Sequence, residues 1–283
     1  VYNPPIKDIL FNLQELAEIN SILELPAYKD LDQSTLEQVI IEAGIFAKEI
    51  FSPLNVSGDI MGCSVNHQEV IIPDGFIGAY KQFVEDGWQS VSDAPKYGGM
   101  GLPEAVSVGI TEMWHASNMS LAVCPLLTSG AITAILKHAS DDLKNKFLPK
   151  MIQGEWSGTM LMTESQAGSD LSGINTRAVR DGDVYRISGT KIYITWGDHS
   201  MSKNIVHLVL ARLPDAPDGV RGISMFLVPK FLVNEDGSLG DRNNIFPLSV
   251  EHKLGIKASP TAVMSYGDDN EGAIGYMLGE EGK

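Results

Sequence analysis

The stretch "MTESQAGSD", residues 162–170, concentrates short polar side chains and one glycine between apolar segments. The hydroxyl groups of Thr163 and Ser169 can donate hydrogen bonds, and Gly168 lets a ligand come close to backbone N–H groups. The pattern is typical of a loop that lines an anionic or carbonyl-rich ligand. A polar turn without any ligand is the alternative.

A second stretch, "KIYITWGD" at 191–198, combines an aromatic side chain with a hydroxyl. Because side chains alternate along a strand, Tyr193 and Thr195 are predicted to share one face, with Trp196 at the strand end. An aromatic ring beside a hydroxyl can stack on a flat ligand and hydrogen-bond its edge. An ordinary half-buried strand is the alternative.

Several common kinds of site have no support in the sequence. No G-x-G-x-x-G follows a strand, and "YGGMG" at 97–101 lacks the Lys-Ser/Thr of a phosphate loop. Cys63 and Cys124 are far apart and the six histidines are scattered, so we expect no metal site. The two thiols are interpreted as small buried side chains in a reducing compartment.

The charge and the apolar runs bound the choice of partners. A formal net charge of -15 disfavours nucleic acid and anionic membranes. Apolar runs such as "ILFNL" are far shorter than a membrane span, and no signal peptide is recognisable, so a cytoplasmic protein is expected. The chain starts at Val1 and ends in the glycine-rich "GYMLGEEGK", so we interpret it as part of a longer protein.

The first half of the chain has the periodicity of helices. Apolar residues recur at three- and four-residue spacing from Ile6 to Ala17. In "STLEQVIIEAGIFAKEI", Ser34 and Glu37 are predicted to form a capping box, and Pro53 to end the helix.

Further helices are predicted down to about residue 152. Asp74 is expected to cap "GFIGAYKQFVEDG" and Gly87 to end it. Other helical runs cover 103–117, 128–138 and 141–152, the last beginning at Ser140.

After about residue 158 the period changes to two. The segments "DVYRISGTKIYIT", "NIVHLVLARL" and "GISMFLVPKFLV" are predicted to be strands. The sequence therefore predicts an α+β multidomain protein, with an all-α domain over 1–158 and a β domain over 159–283.

Taken together, these motifs resemble those of the acyl-CoA dehydrogenase family. "MTESQAGSD" resembles the family's M/V-T-E-x-x-A-G-S-D, "GTKIYITWGD" its G-x-K-x-W/Y-I-T-N-G, and "KLGIKASPT" its L/M-G-x-R/K-x-S-x-T. The resemblance implies a helical N-terminal domain and a β-barrel-like middle domain, with the C-terminal helical bundle of the family absent from this chain. Trp196 in place of the family's asparagine, and the insert "FLVNEDGSLGDRNNI", resemble the large branch that includes 3-methylmercaptopropionyl-CoA dehydrogenases.

The resemblance implies a non-covalent FAD site that uses both stretches. Met162 and Thr163 would meet the flavin ring, and Ser169 the FAD pyrophosphate. Tyr193 and Thr195 would pack against the ring from the β domain.

Other residues receive their roles from the same resemblance. Ser169 and Thr261 are implied to lie near acyl-CoA, although Ala262 stands where the family has an arginine. Glu164 matches the motif glutamate, which is a structural hydrogen-bonder and not the base. The family's catalytic base is a glutamate of the C-terminal bundle, beyond Lys283, so no catalytic residue is predicted here.

The implied activity is α,β-dehydrogenation of an acyl-CoA to a trans-2-enoyl-CoA, with electron-transfer flavoprotein as electron acceptor. A homodimer or homotetramer is implied, in the cytoplasm or, in a eukaryote, the mitochondrial matrix. A DNA-associated flavoprotein of the same superfamily is one alternative, which the charge of -15 disfavours. A serine acyl-transfer enzyme is another, because "SMSK" at 200–203 matches S-x-x-K.

Overall fold

The computed structural model describes residues 2–267 and 271–282, and in them helices precede a β domain. The helices are α1 (Ile6–Phe11), α2 (Ile19–Leu23), α3 (Gln33–Phe46), α4 (Pro53–Met61), α5 (Phe76–Glu85), α6 (Glu104–His138) and α7 (Asp141–Ile152). The strands are β1 (Ser64–Asn66), β2 (Glu69–Ile71), β3 (Trp156–Leu161), β4 (Arg177–Asp181), β5 (Val184–Thr195), β6 (Asn204–Arg212), β7 (Ile223–Pro229), β8 (Phe231–Val233), β9 (Leu239–Arg242), β10 (Ile245–Val250), β11 (Thr261–Tyr266) and β12 (Ala273–Leu278). The predicted fold class is confirmed, with the short β1–β2 hairpin as a departure from an all-α first half.

The capping box predicted for α3 is wrong. The N-cap is Asp32, whose carboxylate accepts hydrogen bonds from the Thr35 N–H at 2.8 Å and the Ser34 hydroxyl at 2.6 Å. An anionic acceptor two residues earlier therefore engages the hydroxyl that the box would need. Glu37 accepts instead from Gln33 and from the more distant Gln14.

Two other predicted helix boundaries are also wrong. Pro53 does not end a helix but begins α4, where its missing N–H needs no partner. Asp74 does not cap α5, because the N-cap is Gly75 in a left-handed conformation (φ 85°). Gly87 ends α5 and Ser140 caps α7, as predicted.

The long helix α6 joins two segments that the sequence predicted as separate helices. Its backbone kinks at Asn118 (φ -156°, ψ 86°), where the side-chain amide donates to the Phe51 carbonyl and accepts from the Leu121 N–H. In the described residues α6 is also the one helix long and apolar enough to cross a membrane, by length and composition. Here its apolar residues pack into two cores, and short polar interruptions hide its length in the sequence.

The β domain is barrel-like because five of its strands form a closed ring. Strand β5 pairs with β12, β12 with β7, β7 with β6, β6 with β4, and β4 with β5. Strands β11 and β10 extend the sheet from β5, and β3 pairs in parallel with β6. The polar loop that follows β3 is therefore anchored at the edge of this barrel.

Strand β3 also joins the two halves. The predicted boundary between 158 and 159 falls inside β3, and Gly158 packs against α6. A Cβ added at Gly158 would lie 2.5 Å from the Ala131 Cβ, so glycine is what allows this close approach. Residues of α6, α7, β3 and β6 share one hydrophobic core.

Candidate functional site

Two direct hydrogen bonds bring the two polar stretches together. The Ile192 N–H donates to the Thr163 carbonyl at 2.9 Å, and the Lys191 ammonium donates to the Met162 carbonyl at 3.0 Å. Consecutive residues of β5 thus hold consecutive carbonyls of the loop after β3. Residues nearly thirty positions apart in sequence form one surface.

Glu164 is the internal anchor of the loop. Its side chain is buried, and its carboxylate accepts hydrogen bonds from Gln166 Nε2, the Asn175 and Thr176 N–H groups, the Thr176 hydroxyl and Lys191 Nζ, at 2.6–3.0 Å. Burial acts to raise the pKa of Glu164, but these donors outweigh it and lower the pKa to about 2. The predicted structural role of this glutamate is confirmed.

The remainder of the loop turns outward. Glu164 and Ala167 exchange backbone hydrogen bonds of 2.9 and 3.0 Å, and Ala167 is buried beneath the turn. Gly168 and Ser169 follow it and are exposed, and the Ser169 hydroxyl has no partner within the described part of the chain. The loop therefore presents its glycine and serine to solvent, with the turn fixed from below.

Thr163 carries two further donors that are not used internally. Neither its backbone N–H nor its hydroxyl bonds to any group in residues 2–267 or 271–282, while its carbonyl is held by Ile192. Gly168 lies close by, since a Cβ at that position would be 3.9 Å from the Thr163 methyl carbon. These donors are free to bind a ligand at the surface.

The strand side of the surface contains a bulge at Tyr193. The backbone there is left-handed (φ 60°), and the register with β11 shifts between Met264 opposite Lys191 and Ala262 opposite Ile194. Tyr193 is 60% exposed and Thr195 partly exposed, while Ile194 between them is buried. The outward direction of Tyr193 thus depends on the bulge and not on regular alternation.

Thr261 lies opposite Thr195 in the neighbouring strand β11. Its side chain is only 5% exposed, and its hydroxyl oxygen is buried with no partner among the described residues. Because the side chain of Thr261 is buried in this chain, its implied contact with acyl-CoA stays a prediction.

Trp196 packs the end of β5 against the helical half of the chain. It is buried among the N-terminal helices, its indole N–H donates to the Ser120 carbonyl at 3.1 Å, and its ring stacks on Phe76. Two residues later, Asp198 pairs with Lys230 at 2.6 Å. The departure from the family's asparagine therefore places a domain-joining side chain at this position.

The "SMSK" segment shows no nucleophile and base arranged for catalysis. Lys203 pairs with Glu155 at 2.9 Å. The buried His199 accepts the Met201 N–H at Nδ1, so its proton lies on Nε2 and points to the Ser157 hydroxyl at 3.0 Å. A ring that donates to a serine cannot deprotonate it.

Among the described residues, no group of three or more His, Cys, Asp or Glu could hold a metal ion.

Motif reading missed two features. Lys191 is fully buried in β5, and the signal was present as a lone lysine within an apolar β-branched run that required a partner. The other is a cavity of about 100 Å³ in the helical half, beside α6. It contains buried polar atoms without partners in the described chain, on Trp88, Gln89, Trp114 and His115, and these positions are too dispersed to form a motif.

Comparison with known proteins agrees with this geometry. The family models described as "Acyl-CoA dehydrogenase, N-terminal domain" and "Acyl-CoA dehydrogenase, middle domain" match residues 64–155 and 159–268. The chain is 48% identical to 3-methylmercaptopropionyl-CoA dehydrogenase of Ruegeria pomeroyi, over 99% of this chain and 47% of that protein. It thus spans about half the length of the curated relatives it matches.

Solved structures share the fold. An acyl-CoA dehydrogenase from Geobacillus kaustophilus superposes with a TM-score of 0.70 at 28% identity, over 89% of this chain and 60% of the other. One from Bacillus anthracis, complexed with FAD, gives a TM-score of 0.68 at 22% identity, over 90% and 38%. The chain therefore belongs to the acyl-CoA dehydrogenase family, of which it carries the N-terminal and middle domains.

Proposed function

We propose that the full-length protein is an FAD-dependent acyl-CoA dehydrogenase that converts an acyl-CoA to the trans-2-enoyl-CoA. The observation that carries the proposal is the hydrogen bond from the Ile192 N–H to the Thr163 carbonyl, which sets free donors beside the exposed Tyr193 and the partly exposed Thr195. Family membership and 48% identity to a 3-methylmercaptopropionyl-CoA dehydrogenase support it.

The residues on this surface fit a flavin. The free N–H and hydroxyl of Thr163 suit the carbonyl and nitrogen edge of a flat ring, and the exposed Tyr193 and Met162 supply aromatic and apolar contact. The exposed Ser169 hydroxyl beside Gly168 suits a phosphate oxygen. When bound, FAD would accept the hydride removed from the acyl group; the protein's part is to bind and orient it.

The remaining roles belong to the same proposal. The substrate is 3-methylmercaptopropionyl-CoA or another short or medium acyl-CoA, with Ser169 and Thr261 on its path. The base is a glutamate beyond Lys283, electron-transfer flavoprotein is the acceptor, and the assembly is a homodimer or homotetramer. We place the protein in the cytoplasm, or in the mitochondrial matrix of a eukaryote.

The cofactor is tested by releasing it. Denaturing the purified full-length protein should give a supernatant with a flavin spectrum that chromatographs as FAD. Recovery of FMN, or no flavin after attempted reconstitution, would contradict the proposal.

Replacing Thr195 by Val should weaken FAD binding. The change preserves side-chain shape and removes one hydroxyl, so we expect a loss of about 0.5–1.5 kcal/mol in binding free energy if that hydroxyl bonds the cofactor. Titration with FAD followed by flavin fluorescence measures it. Thr133→Val is a control, since this exposed hydroxyl donates within α6 to Ser129 and lies in the other half. Equal FAD affinity in wild type and Thr195→Val would leave Thr195 a structural residue only.

Residues 1–283 alone should not dehydrogenate any acyl-CoA. Removing the α-proton of a thioester needs a positioned base, which is typically worth about 10²–10⁴-fold in rate. Glu164 does not supply this base, because five hydrogen-bond donors hold its carboxylate and its pKa is about 2. Anaerobic mixing of the FAD-loaded chain with short and medium acyl-CoAs, followed by flavin absorbance, measures the reaction. Bleaching together with enoyl-CoA formation would show that a base lies within these residues.

A further inference from the structure

Lys191 lies in β5 beneath the loop at 162–170, and its charged side chain is fully buried. Its ammonium donates to the Met162 carbonyl at 3.0 Å and to Glu164 Oε1 at 2.8 Å. Burying a lysine costs free energy, and a buried ion pair is often no more stabilising than apolar packing. Fold stability alone is therefore a weak reason for a lysine here.

Glu164 does not depend on Lys191 for its hydrogen bonds. Four other donors, on Gln166, Asn175 and Thr176, satisfy the carboxylate. The Met162 carbonyl is different, because Lys191 Nζ is its side-chain donor in the structure. Besides pairing with Glu164, Lys191 therefore holds the loop backbone through the Met162 carbonyl.

The Met162 carbonyl and the Thr163 N–H belong to the same peptide group. A cation that donates to the carbonyl polarises this peptide and strengthens its N–H as a donor. The next carbonyl, that of Thr163, is fixed by the Ile192 N–H at 2.9 Å, so the loop backbone is held on both sides of that N–H. The N–H itself bonds to nothing in the described residues.

We propose that Lys191 is a positioning residue for the cofactor: it fixes the Met162–Thr163 peptide and increases the strength with which the Thr163 N–H binds the electron-rich edge of the flavin. The inference rests on the proposed function. Because Lys191 polarises this peptide, the Thr163 N–H also stabilises negative charge added to a bound flavin, so Lys191 raises the reduction potential of the flavin.

The test separates this role from structural neutralisation of Glu164. Lys191→Met combined with Glu164→Gln removes both charges, so no unpaired buried charge is left. Glu164→Gln alone keeps Lys191 and controls for the amide that then meets the donors of Asn175 and Thr176. Lys230→Met with Asp198→Asn is the matched control, because it removes another buried Lys–carboxylate pair, at 2.6 Å, that does not touch the loop. The full-length proteins are compared by circular dichroism, FAD dissociation constant and midpoint potential of the bound flavin.

We expect the Lys191/Glu164 double variant to bind FAD roughly tenfold more weakly than wild type and than Glu164→Gln, with a more negative midpoint potential. The reason is that the Thr163 N–H then belongs to a peptide that is neither polarised nor held by Lys191. The Lys230/Asp198 variant should keep the wild-type affinity and potential. If the first variant does not fold, Lys191→Gln replaces it, since the amide retains a donor without the charge and should still lower the potential.

The outcomes distinguish the two proposals. A wild-type protein that binds no FAD overturns the proposed function. Wild-type affinity and potential in the folded Lys191/Glu164 variant, or a wild-type potential in Lys191→Gln, would overturn the role of Lys191 and leave the flavoprotein assignment intact. Equal losses in the Lys230/Asp198 variant would also overturn it, because the effect would then be general.

Discussion

Replacing Trp196 by Ala should lower the free energy of unfolding by about 3–5 kcal/mol, the usual cost of deleting a buried aromatic side chain. Trp196 is 1% exposed and comes from the β domain, but it packs in the helical core against Phe76. Its ring also makes an edge contact with His199 of its own segment. Its removal also leaves the Ser120 carbonyl without the indole N–H at 3.1 Å. Denaturant unfolding followed by circular dichroism measures the loss.

Tyr193→Ala is the matched control, because this aromatic lies three residues earlier in the same segment and is 60% exposed. Both positions have left-handed backbone, so the comparison isolates burial from conformation. We expect the control to cost less than about 1 kcal/mol. Similar costs for the two variants would show that Trp196 does not carry the contact between the halves.

Much of the fold follows from local pattern. Apolar spacing located α3, α5 and α7, and period-two runs located β5, β6 and β7, because each element has one face that must be buried. The predicted helix boundaries were wrong where neighbouring residues compete for the same backbone groups. Asp32 rather than Ser34 caps α3, and Pro53 begins a helix instead of ending one.

The site could be predicted only in part. Types and spacing indicated Thr163, Ser169 and Tyr193 as candidate ligand contacts, since polar loops and aromatic strands stand out from apolar surroundings. Met162 was implied only by the family resemblance, and the cofactor contacts of all four residues stay predictions. The bonds that join them could not be read, because the Ile192–Thr163 hydrogen bond depends on tertiary register. The bulge at Tyr193 is likewise set by pairing with β11, and no local residue type encodes it.

Replacing Glu164 by Gln should destabilise the protein by about 3–5 kcal/mol, because it leaves Lys191 buried without its counter-ion. The carboxylate is 5% exposed, so solvent cannot take over its role. The amide also brings N–H groups towards the donors of Asn175 and Thr176, which at present converge on oxygen. Thermal and denaturant unfolding at neutral pH measure the loss.

The pH dependence of this loss separates the effect of the buried charge from that of side-chain shape. In the folded protein the pKa of Glu164 is about 2, below its usual 4.5, so the unfolded state binds more protons between these values. The stabilisation is therefore complete above about pH 4.5 and disappears as the pH falls towards 2. Wild type and Glu164→Gln should converge in stability across that interval.

Glu155→Gln, which alters the more exposed pairs with Lys150 and Lys203, should cost only about 0–1 kcal/mol. A constant gap between wild type and Glu164→Gln at all pH values would mean that shape, and not the buried charge, sets the cost.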